Sequence, residues 1–302
     1  MLIQIGSRMR FCGLHPTAAL DQSDRRRPKQ LAHPQRRSAG NLSFGASSSA
    51  SVLSRSTDAM TIASGALPVL RTANARCVRN DVSQLKALIF DLDGTLYLQG
   101  RVRRSMFYRL LRVHLTRPLQ GLLTLKVLYA YRRAQEALRT VPCDSRDIAT
   151  AQVLLAAKRV GLSAEAILPC ITRWMEEEPL RFLSTSRRAG TVELLQKLKR
   201  RGLRLAVFSD YPAVRKLAAM GIENFFDVVV TAQDPEVQRF KPNPRGLEVT
   251  LQRLAVLKHE AFYVGDRLEV DAVAARRAGI GYFILNGRQN FEVLLELLTP
   301  RQ

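Results

Sequence analysis

One short stretch constrains this chain more than any other: Leu85-Lys86-Ala87-Leu88-Ile89-Phe90 followed by Asp91-Leu92-Asp93-Gly94-Thr95-Leu96. The run from Leu85 to Phe90 predicts a short strand buried on both faces of a sheet. It stops at two carboxylates one residue apart, and then at a glycine. Bringing two carboxylates together disfavours ionising both, so a buried strand gains no stability from such an ending. A bound divalent cation removes the penalty, and Gly94 supplies the backbone freedom of a tight turn. The pattern points to a site for a hard cation and an anionic substrate. The plainer alternative is a strand-to-turn with two solvated aspartates.

From about residue 189 onward, short apolar runs alternate with helical patterns. Strands are predicted over 203–208, 227–231, 261–264 and 282–285, and helices over 191–200, 212–219, 244–257, 268–278 and 291–298. Short apolar strands alternating with helices imply a parallel sheet covered on both faces. Ligands bind at the carboxyl ends of such strands. Asp91, Ser209 and Asp266 all lie at predicted carboxyl ends, so they converge on one crevice although they are far apart in sequence. Between Gly100 and Ala189 the pattern is helical: 108–115 and 119–138, with Pro118 between them, then a helix capped by Asp144 or Ser145 that stops at Gly161, then one capped by Ser163. Arginines stud the apolar faces of 107–133, as in an interfacial amphipathic stretch. Packing inside the helical region is the simpler account, and it also takes Trp174 as core.

Four segments in order make the chain resemble the haloacid dehalogenase-like hydrolases, specifically their phosphatases. They are Asp91-Leu92-Asp93-Gly94-Thr95-Leu96, the strand 203–209 ending in Ser209, Lys241-Pro242-Asn243-Pro244, and Tyr263-Val264-Gly265-Asp266 followed by Asp271. The resemblance covers about residues 85 to 300. It implies a Rossmann-like α/β parallel-sheet core with an inserted α-helical cap domain that closes over the site. It implies Asp91 as a nucleophile that forms an aspartyl-phosphate, and Asp93 as proton donor and then base. Mg²⁺ would be held by Asp91, Asp266 and the backbone carbonyl of Asp93. Ser209 would bond a phosphate oxygen, although a strand-end serine can also satisfy its own turn. Lys241 would face the developing charge, and Asp271 would orient Lys241 or the metal's waters. Asp93 argues against carbon–halogen cleavage, because dehalogenases lack this second aspartate. A phosphomutase would use the same core, and a silent basic binding module would have no need of the whole set. One departure stands out: Asp210 follows Ser209 where the family often has Asn, which puts a negative group beside the phosphate or turns it away.

Composition matters mainly through charge. Residues 1–80 hold twelve Lys/Arg against three Asp, and residues 97–190 hold seventeen against seven acids, so most of the formal +21 lies in these two stretches. Such charge suggests anionic partners or surfaces, or a solvated arginine-rich exterior. The expected organisation is a disordered basic segment over 1–82, a core from 83–98 and 188–302, and a cap over 99–187. The first segment reads as a translated upstream region with the true start near Met60, as a transit peptide, or as a basic arm. The expected location is cytoplasmic, or an organelle if residues 1–60 are a transit peptide. The expected partner is a small phosphorylated metabolite such as phosphoglycolate, a sugar phosphate or a nucleotide, with no specific nucleic acid and no membrane-spanning segment. The four cysteines and four histidines are scattered and receive no role.

Overall fold

The computed structural model describes residues 69–72, 75–78, 84–140, 147–285 and 291–298. Among these, one sheet gathers β1 (Val69–Thr72), β2 (Ala75–Val78), β3 (Ala87–Phe90), β4 (Arg204–Ser209), β5 (Val228–Thr231), β6 (Ala261–Gly265) and β7 (Gly281–Ile284) in the spatial order β1-β2-β7-β6-β3-β4-β5. All pairs from β7 across to β5 are parallel. The strands expected from the apolar runs are therefore present, with boundaries moved by a residue or two. Alternation of side chains splits each inner strand between two cores. Leu88, Phe90, Leu205, Val207, Phe262 and Val264 face one side, while Ala87, Ile89, Ala206, Phe208, Ala261 and Tyr263 face the other. Strands buried on both faces cannot alternate apolar with polar, and this is why they read as continuous apolar runs.

Between β3 and β4 come α1 (Gln99–Val113), α2 (Pro118–Thr140), α3 (Ile148–Val160), α4 (Ala164–Ile171) and α5 (Leu180–Ser186). Pro118 begins α2, where its missing N–H is no loss. Asp147 caps α3 by accepting from the amides of Ala149 and Thr150 at 3.0 and 3.2 Å. The expected caps Asp144 and Ser145 lie outside the described residues. Gly161 ends α3 with φ 79°, and the Ser163 side chain accepts from Ala166 N. Val127, Ala130, Tyr131 and Ala134 of α2 pack with Ala156 of α3 and Ile167 of α4 in a core of their own. Trp174 is buried, as expected, within a turn of π-helix over 172–177. The remaining helices, α6 (Thr191–Arg200), α7 (Val214–Met220), α8 (Arg245–Leu254), α9 (Val273–Ala278) and α10 (Glu292–Leu298), follow β3 in the expected alternation with strands. α6, α7 and α10 cover one face of the sheet and α8 and α9 the other.

One expectation needs correction. Within the segment expected to be a disordered tail, Val69–Thr72 and Ala75–Val78 form an antiparallel ribbon, and β2 pairs antiparallel with β7 through Arg76↔Ile284, Cys77↔Phe283 and Val78↔Tyr282. Propensity arguments missed it because two four-residue runs gain their stability from the neighbouring strand and not from a pattern of their own. Residues 1–68 lie outside the described residues. A chain shortened to begin at residue 80 would leave β7 as an open edge with unpaired amides and carbonyls. It should melt several degrees lower and aggregate on refolding, whereas a chain beginning at residue 69 should match the full length. Calorimetry and light scattering on the two shortened chains test this, and equal melting would mean the ribbon adds nothing.

Candidate active site

The register of the sheet builds the site. Phe90, the last residue of β3, lies beside Val207 of β4 and Val264 of β6. Asp91 therefore emerges between these two strands, and its amide donates to Val264 O at 2.8 Å. Ser209 and Asp266 follow two residues beyond those partners, so all three side chains emerge at the same end of the sheet. Gly94 turns the chain back with φ 111°, and a Cβ there would run into the Asp266 carboxylate. Two backbone carbonyls of this turn, those of Gly94 and Thr95, accept from the buried Arg188 guanidinium at 2.6 and 2.8 Å.

At the centre is a buried acid–lysine cluster. Lys241, 2% exposed, donates through Nζ to Asp91 Oδ1, to Asp271 Oδ1 at 2.8 Å and to the Tyr263 hydroxyl at 3.1 Å. Thr95 Oγ1 donates to the other oxygen of Asp91 at 3.0 Å. Asp271 is fully engaged: Oδ1 also accepts from the Tyr263 hydroxyl at 2.9 Å, and Oδ2 from the amides of Asp266 and Arg267 at 3.2 and 3.0 Å. Asp91, Asp266 and Asp271 each bring a carboxylate oxygen within 4.8 Å of the others. Burial, with Asp271 and Asp266 close by, pushes the Asp91 carboxyl well above the usual carboxylate range despite Lys241. Burial and Asp271 likewise push Asp266 up to about 7. Burial also acts against charge on Asp271, but Lys241, the Arg267 amide and the Tyr263 hydroxyl hold it below its ordinary value. Burial would lower the Lys241 ammonium, yet Asp271 and Asp91 keep it well above its usual value.

These residues fit a hard divalent cation. Three carboxylates facing one ammonium leave two negative charges in excess, and the donors are all oxygen, as Mg²⁺ requires. Asp91 and Asp266 are the two acids that burial and their carboxylate neighbours push toward protonation despite Lys241, so added positive charge beside them would favour their ionised forms. Asp271 already serves other partners. The sign of the pH effect follows. Asp266 holds its proton to about pH 7 in the folded chain but only to about 3.9 when unfolded. The folded state therefore binds more protons between these values, and stability falls as pH rises through that window. In chelator, the melting temperature should fall between about pH 4 and about pH 7, and Mg²⁺ should reduce the fall. A flat profile in chelator would remove the charge excess argued here.

Asp93 sits apart from this cluster. Its carboxylate accepts from Lys216 Nζ of α7 at 2.6 and 2.9 Å and from the Tyr97 hydroxyl. Burial opposes its charge, but Lys216 and Tyr97 hold it below the ordinary value. Ser209 is fully buried, and its Oγ accepts from Tyr211 N at 3.2 Å, which leaves its O–H to donate. Asp210 turns away from the crevice: Oδ1 accepts from Lys241 N at 3.0 Å, and Oδ2 from Arg139 Nη2 and Gln135 Nε2 of α2 at 2.6 and 3.2 Å. Its charge is thus matched by the cap and not set against a substrate. Tyr97, Arg188, Lys216 and Tyr263 escaped the sequence reading. The first is four residues from Asp93, and Lys216 sits on the helix that follows the second strand end, so position alone could have raised both. Beside Lys216, between the cap and the core, opens a narrow crevice of about 30 Å³ walled by Tyr131, Met175, Leu180, Tyr211 and Arg215.

Comparison with known proteins identifies the family and the fold. The family model of haloacid dehalogenase-like hydrolases matches residues 85–279. The chain is 30% identical over 199 residues to the glyceraldehyde 3-phosphate phosphatase of Methanopyrus kandleri, a match covering 65% of this chain and 82% of that one. It is 33% identical over 94 residues to the pyrophosphatase PpaX of Halalkalibacterium halodurans, covering 30% of this chain and 42% of that one. Among solved structures, the HAD-hydrolase YfnB of Bacillus subtilis, bound to magnesium, has the same fold, with a TM-score of 0.52 at 15% identity over 71% of this chain and 98% of that one.

Proposed function

The chain belongs to the haloacid dehalogenase-like hydrolases, and from that membership and the buried acid–lysine cluster we propose that it is a Mg²⁺-dependent phosphatase of a small phosphate monoester. The observation that carries the reading is the contact of Lys241 with both Asp91 and Asp271 at the strand ends. Asp91 is the nucleophile: one carboxylate oxygen attacks phosphorus, the bond to the leaving oxygen breaks, and an aspartyl-phosphate forms. Lys241 holds Asp91 in place and offers positive charge to the phosphoryl oxygens. The Ser209 hydroxyl donates to one of those oxygens. Mg²⁺ held by Asp91, Asp266 and the Asp93 carbonyl would screen the repulsion between nucleophile and phosphate. Asp271 keeps Lys241 and the following turn oriented.

Asp93 carries the proton. It gives one to the leaving oxygen, then takes one from the water that opens the aspartyl-phosphate. Its ion pair with Lys216 keeps it ionised before substrate binds, so substrate has to loosen that pair and Asp93 has to take up a proton from solvent before it can act as the acid. The positive charge of Lys216 and Arg215 on the wall of this crevice suits a small anionic leaving group. Glyceraldehyde 3-phosphate, phosphoglycolate and other three- or two-carbon phosphates are the first substrates to try, followed by sugar phosphates and nucleotides.

A phosphate-release screen over those compounds and pyrophosphate, with Mg²⁺ and with excess chelator, tests the reading. Turnover of at least one monoester with Mg²⁺ and its loss with chelator are expected. Equal turnover in chelator would refute the metal, and isomerisation of a sugar phosphate without release would make the enzyme a mutase.

A further inference from the structure

The corner between α1 and α2 turns large apolar side chains toward water. Leu115 and Leu119 are each 80% exposed, Leu122 and Tyr108 62%, and Leu111 48%. Cap packing does not account for them, because the cap core uses the opposite face of α2, at Val127, Ala130, Tyr131 and Ala134. On the outward face of α2, Leu119, Leu122, Lys126 and Arg133 recur at helical spacing. Arg104, Tyr108 and Leu111 do so on α1, with Leu115 just past its end. The corner is tight: Arg117 N donates to His114 O at 3.0 Å, and His114 lies 3.4 Å from Thr124. The two apolar faces therefore meet where the helices turn.

This corner is also strongly basic. Residues 99–140 contain ten Arg/Lys and one acid, Glu136. Arg109 pairs with Glu178, and Arg139 with Asp210 and Glu136. Arg101, Arg104, Arg112, Arg117, Lys126 and Arg133 form no ion pair among the described residues. A second copy of the chain would bring the same charge and be repelled. A nucleic acid would satisfy the arginines but offer the leucines nothing. An anionic bilayer takes both, with headgroups against the guanidinium groups and the acyl boundary against Leu and Tyr. No described helix is long and apolar enough to cross a membrane, so the contact is peripheral.

We propose that the α1–α2 corner of the cap docks this protein on an anionic lipid surface. The test is sedimentation of the full chain with vesicles containing about 30% anionic phospholipid, and with purely zwitterionic vesicles, at low ionic strength. The protein should sediment with the anionic vesicles only. Raising the salt to about 1 M should release it, because the Debye length falls to about 3 Å. The triple variant Leu115→Asp, Leu119→Asp, Leu122→Asp changes exposed positions only, so it should melt like the parent and lose partitioning by about 100-fold or more. Three results would overturn the proposal. The parent could remain in the supernatant with anionic vesicles. The triple variant could bind as well as the parent, which would place binding elsewhere in the basic chain. The parent could dimerise in vesicle-free solution while the variant stays monomeric, which would make a second copy the occupant.

Discussion

Asp91→Asn should end turnover for every substrate and every leaving group, by at least about 10⁴-fold in kcat. The amide is nearly isosteric: its oxygen can still accept from Lys241, and its NH₂ can donate to the Thr95 hydroxyl, which turns from donor to acceptor, so the fold should survive and the loss should be chemical. Asp93→Asn should fail differently. It keeps the nucleophile but loses the group that moves the proton. An aryl phosphate needs little help for its leaving oxygen, so the first step can proceed, and the second should stall for want of a base. Rapid mixing should then show a burst of about one phenolate per site followed by slow turnover. Mass spectrometry should place the phosphoryl group on Asp91. A covalent adduct on any other residue would end the mechanism. No burst and no adduct would mean that Asp93 has a second task, and its contact with Lys216 makes the architecture of the α7 wall the place to look.

Lys241→Met should be the most damaging single change to stability. It leaves Asp91 and Asp271, 4% and 1% exposed, facing each other without their shared ammonium. Breaking a buried pair in this way typically costs about 3–5 kcal/mol, or roughly 6–20 °C for a body of this size. Measured in chelator, the loss should shrink as pH falls, because protonating Asp91 relieves the repulsion that Lys241 had balanced. Mg²⁺ should restore part of the stability but not the activity, since the ammonium on the phosphoryl oxygens is gone. A variant that melts like the parent at about pH 8 in chelator would show that the cluster is not charged as argued.

What the sequence disclosed and what it hid follow from the same physics. Asp91, Ser209 and Asp266 were legible because a doubly buried strand is all apolar, and the first polar residue after it marks the crevice. Lys241 and Asp271 were legible through the resemblance alone. Tyr263 was hidden inside a buried strand, where a tyrosine and a phenylalanine fit the pattern equally well. Its hydroxyl matters because Lys241 and Asp271 reach it. Lys216 was hidden because a lysine on an amphipathic helix is ordinary, and only packing shows that it is 8% exposed and aimed at Asp93. Asp210 looked like an intruder beside a phosphate until α2 supplied Arg139 and Gln135, partners about 70 residues away in sequence that no local pattern reveals. The β1–β2 ribbon was invisible because its reason to exist is an edge of β7 that forms only when the sheet does.

The bond from Arg139 to the Lys241 carbonyl ties roof to floor. Arg139 ends the long helix α2, Asp210 joins it to the same segment, and the side chain of Lys241 is fastened to the nucleophile. Lifting the roof to admit or release a molecule therefore tugs on the residue that steadies the attacking oxygen. Roof and floor are thus one linked unit: the end of α2, the backbone of Lys241 and the carboxylate of Asp91 are joined by consecutive contacts, and a displacement at one end is felt at the other.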